Sequence, residues 1–263
     1  MRILNSITFF IFSLFLAIEG FAQPVALSPN SGSVSANADR FGRPQPDSRG
    51  WTDPALNHNQ LLKERLGDGT YIMIGQFKVI GSPFLFGQRH NADLFTPKEK
   101  AMGININYNT YNQEIEFFST SNPTQPLVKE IGEVDSFSLR KDTTMRLFND
   151  IRFIYGPLVG SSEKSYFQVL QTGETFSLYK RYKSELGYPS TNYGQSDLRQ
   201  FDLIAEYFYY DRKQVKFKKI KPNLSFLVKE FKSTKDITPV ADKDSFLTQP
   251  EEVMIKIINY LNS

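Results

Sequence analysis

The feature that most constrains the fold is an alternation of apolar and polar residues between positions 71 and 220. The apolar positions are largely aromatic or β-branched, and the chain contains 23 Phe and 13 Tyr residues. This period-two pattern is typical of strands that bury one face. The pattern predicts about nine strands, at 71–80, 103–108, 113–118, 134–139, 149–155, 165–171, 174–182, 201–210 and 214–220.

The connections between these strands are short. Thr172 and Gly173 form a predicted two-residue hairpin loop, and residues 211–213 connect the last two strands. Neighbouring strands joined in this way pair antiparallel, and no helical crossover that a parallel sheet requires separates them. We therefore expect a mainly β fold, an antiparallel sheet or sandwich, within a single domain at 51–263.

Short helices are expected on both sides of the strands. Asp53 and Pro54 suit an N-cap and first helical position, which predicts a helix that ends near Leu66. After Lys221 the pattern changes to a helical period. Two C-terminal helices are predicted in the part 221–263: residues 224–231, capped by Asn223, and residues 250–261, capped by Thr248.

The N-terminal residues 1–22 have the pattern of a cleavable signal peptide. Arg2 precedes an apolar run at 7–18, and the small residues Gly20 and Ala22 suit a cleavage site. The run is too short for a transmembrane helix, which needs about 20 apolar residues. We expect an exported protein, periplasmic or extracellular, with no transmembrane span in the mature chain and a flexible arm at 23–50.

Composition excludes several kinds of chemistry. The chain has no Cys, so disulfides, thiol catalysis and acylation as a lipoprotein are ruled out. It has only two His, His58 and His90, which limits the options for a general base or a metal site. His90 is interpreted as a solvated loop residue, and no metal site and no cofactor are expected. The net charge of +3 is too small to indicate nucleic acid as a partner.

Two surfaces are candidates for binding. The first is the basic strand that contains Lys216 and Lys218, beside Tyr209 on the preceding strand. Such residues can bind a polyanion, but alternating lysines also protect a sheet edge, and we favour the edge interpretation. The second is the polar loop 182–200, where Tyr188 and Tyr193 offer contact area at low entropic cost.

Several segments together resemble a known group of proteins. The segments are 108–117 (YNTYNQEIEF), 178–183 (LYKRYK), the Tyr-Phe-Tyr-Tyr run at 207–210 and 216–221 (KFKKIK) before a helix. Combined with the leader, they resemble the uncharacterised exported β-rich proteins that are frequent in Bacteroidota genomes. The resemblance implies an envelope or extracellular location and no particular activity.

Function is expected to be binding or structural, with an envelope glycan, peptide or protein as the partner. One alternative is an outer-membrane β-barrel, although charges on both strand faces count against it. Another is a hydrolase of envelope polymers that uses Glu114 and Glu116. Because these residues alternate with Ile115 and Phe117, a solvated strand face is the favoured interpretation. No catalytic residues are assigned.

Overall fold

The fold is mainly β, as the alternation predicts. The computed structural model describes residues 23–24, 60–87, 89–118, 126–129, 132–189 and 197–263. Of these described residues, 47% lie in strands and 20% in helices. The predicted leader, the remainder of the N-terminal arm and the predicted helix up to residue 59 lie outside the described residues.

Thirteen strands form one connected sheet, more than the sequence predicted. In chain order they are β1 (Gln23–Pro24), β2 (Gln60–Arg65), β3 (Tyr71–Ile80), β4 (His90–Phe95), β5 (Lys100–Asn109), β6 (Glu114–Phe118), β7 (Pro126–Val128), β8 (Ser136–Leu139), β9 (Ile151–Tyr155), β10 (Tyr166–Gln171), β11 (Phe176–Gly187), β12 (Leu198–Asp211) and β13 (Lys216–Ile220). All nine predicted strands are present, with ends that differ by a few residues.

The sequence missed β1, β2, β4 and β7. The prediction of a helix ending near Leu66 was wrong for the residues of β2, which pair with β3 as an antiparallel hairpin. Their pattern (QLLKER) does not alternate, so strand pairing with β3 overrides the local helical signal. In β4 the polar residues Asn91 and Asp93 alternate with buried Ala92 and Leu94, a short pattern that resembles a loop.

The strand order is β1-β7-β6-β5-β4-β8-β9-β10-β11-β12-β3-β2, with β13 paired to β12 in addition. The pairs are antiparallel, as predicted, except that β3 runs parallel to β12. The strands belong to one continuous sheet, and the finer expectation of a sandwich is not confirmed. The parallel contact connects segments that are far apart in the sequence.

The sheet coils, so that the turn between β5 and β6 reaches β11. The backbone N–H of Ser184 donates to the carbonyl of Thr110 at 3.1 Å, and their hydroxyl oxygens lie 2.7 Å apart. The coil encloses an aromatic core in which Phe137 and Phe153 stack with centroids 4.6 Å apart. Tyr108 packs edge-on against Phe137 and is itself fully buried. This packing makes the coiled half of the sheet a rigid scaffold.

Three helices follow the last strand: α1 (Leu224–Phe231), α2 (Lys243–Thr248) and α3 (Pro250–Asn262). The predicted cap of α1 is confirmed, because the Asn223 side chain accepts from the Phe226 backbone N–H at 3.0 Å. The predicted cap of α3 was wrong. Thr248 ends α2, and Gln249 precedes α3 without a side-chain capping bond. The short helix α2 was not predicted at all.

The helices cover one face of β11, β12 and β13. Leu178, Leu227 and Ile257 are among the residues buried between them. Asn262 at the end of α3 accepts the backbone N–H groups of Thr175 and Phe176 at 2.9 and 2.8 Å. Because Asn262 binds these N–H groups, β11 begins only at Phe176. The loop after β10 therefore spans residues 172–175, instead of the two residues that were predicted. No helix in the described ranges is long and apolar enough to cross a membrane.

Candidate functional site

An arginine side chain lies between two aromatic rings on the surface of the sheet. The guanidinium carbon of Arg199 is 4.1 Å from the ring centroid of Phe77 and 4.0 Å from that of Tyr188. A guanidinium nitrogen of Arg199 also donates to the Tyr188 hydroxyl at 3.1 Å. Cation–π contacts of this kind are attractive and favour one geometry. We call these three residues the arginine stack.

The parallel pairing of β3 and β12 creates the arginine stack. Arg199 pairs with Val79, and Phe77 lies on the same face of β3, two residues earlier. Phe77 in turn lies over Gly75, where a Cβ atom would approach the ring to 3.0 Å and where φ is +141°. A glycine at this position therefore lets Phe77 lie flat beside the arginine.

Further polar and aromatic groups lie on or next to the strands that carry the stack and on the β5–β6 turn. Lys78 and Asp197 form an exposed ion pair at 3.2 Å, next to the point where β12 begins. Tyr111, from the β5–β6 turn, packs edge-on against Phe201 at 5.3 Å. Burial raises the pKa of the Tyr111 hydroxyl, and the nearby Glu64 carboxylate raises it further. β3 and β12 thus carry both aromatic and charged side chains near their parallel contact.

Comparison with known proteins does not assign this surface a role. No protein-family model matches the chain, and no curated protein or solved structure is significantly similar to it.

Of the two tyrosines predicted as binding residues of the loop 182–200, the structure describes Tyr188, and Tyr193 lies outside the described residues. Tyr188 is 66% exposed, although the arginine stack fixes its ring. Tyr188 immediately follows β11, and Tyr182 of that strand packs against Phe153 in the aromatic core. Its ring is therefore held in one orientation and remains accessible, as a binding role requires.

The predicted basic surface on β13 is used in part within the fold. Tyr209 is buried, and its hydroxyl donates to Glu230 of α1 at 2.6 Å. Lys218 donates to the same carboxylate oxygen at 2.5 Å. Lys216 and Lys219, two further residues of the predicted basic run on this strand, are exposed. In the described part of the chain β13 pairs with β12 alone, so it forms an edge of the sheet.

Glu114 and Glu116 are buried, and their interpretation as a solvated face was wrong. Their exposed fractions are 3% and 8%. Glu114 accepts from the Tyr71 hydroxyl at 2.6 Å and forms an ion pair with Arg65 at 3.2 Å. The β2–β3 hairpin brings both partners over β6. Glu116 accepts from the Asn107 side-chain amide at 2.9 Å.

Burial raises the pKa of Glu116 to about 7, although the Asn107 amide opposes this, and the charge of Glu114 adds to it. Burial also raises the pKa of Glu114, which Tyr71 and Arg65 partly offset. Both carboxylates lie on one face of one strand, not across a cleft. With so little exposed surface, they offer a substrate no access, and the hydrolase hypothesis gains no support from them.

His90 is also buried, contrary to the prediction of a solvated loop. It belongs to β4, and its Nε2 lies 3.0 Å from the Leu85 carbonyl. Burial lowers the pKa of His90, which favours the neutral ring. His58 lies outside the described residues. Within those residues, no group of three or more His, Cys, Asp or Glu side chains could hold a metal ion.

Sequence reasoning missed Phe77 and Arg199. Phe77 looked like one more apolar residue of a strand, and Arg199 looked like part of a polar loop. The only signal was the arginine close to a Tyr-rich segment, and pairing it with Phe77 requires the parallel contact of β3 with β12.

Proposed function

We propose that this chain is an exported, non-enzymatic binding module of the cell envelope, with its binding surface centred on the arginine stack. The observation that carries the proposal is Tyr188, a large aromatic side chain that is 66% exposed and yet fixed by Arg199. Most exposed aromatic side chains lose rotamer freedom when they bind. Here the stack has already restricted the ring, so less free energy is lost on association.

The surroundings of Tyr188 support a ligand with both apolar and polar groups. The tyrosine ring offers a flat apolar area, and its contact area comes with only two rotatable bonds. Arg199 supplies a charged group that already donates a hydrogen bond at the edge of the ring. A sugar ring has this mixed character, with C–H groups on one face and hydroxyl groups at its edge. An envelope glycan is therefore the ligand class that we propose for the stack.

The location is part of the same proposal. It is supported by the apolar run at 7–18 with its small residues at 20 and 22, which is typical of a cleaved leader. The resemblance to exported β-rich proteins of Bacteroidota supports it as well. Cell fractionation of the full-length chain, followed by N-terminal sequencing, tests it. Recovery of a soluble protein that begins at Gln23 is the expected result.

Binding is tested with soluble oligosaccharides prepared from cell-envelope polymers, titrated calorimetrically into the mature chain. Tyr188→Ala should weaken binding by about thirtyfold, roughly 2 kcal/mol, because a central aromatic contact is lost. Phe148→Ala is the matched control, since Phe148 is 72% exposed and lies in the connection between β8 and β9. Its affinity should equal that of the wild type.

A second variant separates the ring from its hydroxyl group. Tyr188→Phe keeps the stacking surface and loses only the bond from Arg199, so it should retain most of the affinity. Equal affinities of the wild type and Tyr188→Ala for every bound oligosaccharide would contradict the proposed site. Binding of no oligosaccharide at all would contradict the proposed ligand class.

A further inference from the structure

A stretch of β12 has a partner strand on only one side. Along one edge, β12 pairs with β11 from Gln200 to Asp211. Along the other edge, β3 covers Leu198 to Gln200 and β13 covers Tyr207 to Asp211. Among the residues that the structure describes, nothing pairs with the six positions between them, 201–206. We call this stretch the open edge; it is about 20 Å long.

The backbone groups that face the open edge can be identified. At the β3 end, the N–H of Lys78 donates to the Asp197 carbonyl at 2.9 Å. Gly81 lies against the Phe201 carbonyl, where a Cβ atom would be 2.9 Å from the oxygen, so the accessible backbone groups begin after Phe201. The N–H and C=O groups of alternate residues point to the same side of a strand. The backbone groups of Leu203 and Ala205 therefore point, like the carbonyls of Asp197 and Phe201, away from β11 and into the open edge. Both residues are exposed, Leu203 at 51%.

A second copy of the chain does not fit the open edge. β12 is a continuous strand of 14 residues, and β3 and β13 flank the gap at both of its ends. If two copies paired along this edge, the β12 of each would run into the β3 or β13 of the other. The gap therefore accepts only a short extended segment of about six residues that bends or ends at both sides.

The charges beside the open edge indicate the chemistry of that segment. Asp202 is exposed and lies directly opposite Glu185 of β11. Like charges at opposed positions repel. Lys183 partly offsets this repulsion through its 2.9 Å contact with Glu185. The Gln200 side-chain amide donates to Asp202 at 2.6 Å, which leaves the Asp202 carboxylate without a cationic partner among the contacts of the described residues. A basic side chain in an added strand would relieve this repulsion. On the other face, Leu203 and Ala205 offer apolar neighbours to alternate residues of the segment.

We propose that residues 201–206 of β12 bind an extended peptide with alternating basic and apolar residues, which completes the sheet between β3 and β13. The backbone of Leu203 and Ala205 supplies the hydrogen bonds, and Asp202 supplies the preference for a basic residue. This site is separate from the arginine stack, and the proposal stands whether or not a glycan binds there.

The probe is a fluorescein-labelled hexapeptide, Lys-Val-Lys-Val-Lys-Val, whose binding to the mature chain is measured by fluorescence anisotropy. Two derivatives carry N-methyl groups, either on the three Lys residues or on the three Val residues. Since only alternate N–H groups of an added strand face β12, one derivative should bind at least about tenfold more weakly and the other nearly as well as the parent. Equal affinities of the two derivatives would overturn the proposal.

Charge reversal provides a second readout that does not depend on peptide methylation. Asp202→Lys should lower the affinity for the Lys-containing hexapeptide by about tenfold. It should raise the affinity for the hexapeptide Glu-Val-Glu-Val-Glu-Val by about the same factor. Glu174→Lys, at an exposed residue in the β10–β11 loop, is the control with the same charge change. If both variants changed the affinities equally, binding would depend only on the net charge of the protein, and this result would contradict a specific site at the open edge.

Two further measurements separate this inference from the other proposals. Tyr188→Ala should bind the hexapeptide as well as the wild type does, so failure of the glycan site leaves this test intact. Sedimentation should show a monomer without the peptide. A dimer that Asp202→Lys dissociates would assign the open edge to a second copy and would overturn the peptide assignment.

Discussion

Replacement of Glu116 by Gln should stabilise the protein at pH 8 and change its stability little at pH 5. Burial raises the pKa of Glu116 from 4.5 to about 7. The folded carboxyl group therefore holds a proton that the unfolded chain releases as the pH rises from 4.5 to 7. Below this window both states are protonated, and above it the folded state contains a buried charge. The stability of the wild type should consequently fall as the pH rises through the window.

The size of the effect follows from the raised pKa. Each pKa unit corresponds to about 1.4 kcal/mol, so the buried charge costs the folded state about 3 kcal/mol above pH 7. Glutamine has nearly the same shape, cannot ionise, and keeps an oxygen that accepts from Asn107. Its new amide N–H group needs an acceptor, which reduces the gain. We expect Glu116→Gln to be more stable than the wild type by about 1 to 3 kcal/mol at pH 8.

Urea unfolding of the mature chain at pH 5, 6, 7 and 8, followed by circular dichroism, measures this difference. The free energy of unfolding should decline across the series for the wild type and much less for Glu116→Gln. A small decline in the free energy of unfolding should remain in Glu116→Gln, because burial raises the pKa of Glu114 as well. The control is Glu185→Gln, because the Glu185 side chain is 54% exposed. Parallel pH profiles of the wild type and Glu116→Gln would refute the reasoning.

Two further substitutions test how distant parts of the fold are held together. Asn262→Ala should lower the free energy of unfolding by roughly 2 to 4 kcal/mol, because the backbone N–H groups of Thr175 and Phe176 lose their acceptor; a loss below about 0.5 kcal/mol in urea unfolding would contradict this role. Tyr71→Phe should cost roughly 1 to 3 kcal/mol, because the buried Glu114 carboxylate loses a hydroxyl donor at 2.6 Å. The same measurement at pH 8 checks it, and a variant as stable as the wild type would show that this bond contributes nothing.

Local patterns were enough to predict much of the fold. The alternation over 71–80 gave β3 with its observed ends, and Asn223 with the apolar stripe after it gave α1 and its cap. Both depend on neighbouring residues and on the periods of strand and helix. β2 was mistaken for a helix because its residues do not alternate, and only pairing with β3 makes them a strand.

The candidate sites show the same division. The sequence indicated Tyr188 as an accessible aromatic residue, and its lack of Cys ruled out cysteine chemistry. It could not reveal that Arg199 lies between Tyr188 and Phe77, since that contact requires a parallel pairing between segments far apart in the chain. It could not reveal that Glu116 is buried, because Glu-Ile-Glu-Phe alternates as a solvated strand does. Burial is a property of what packs over a residue, and only the tertiary structure decides that.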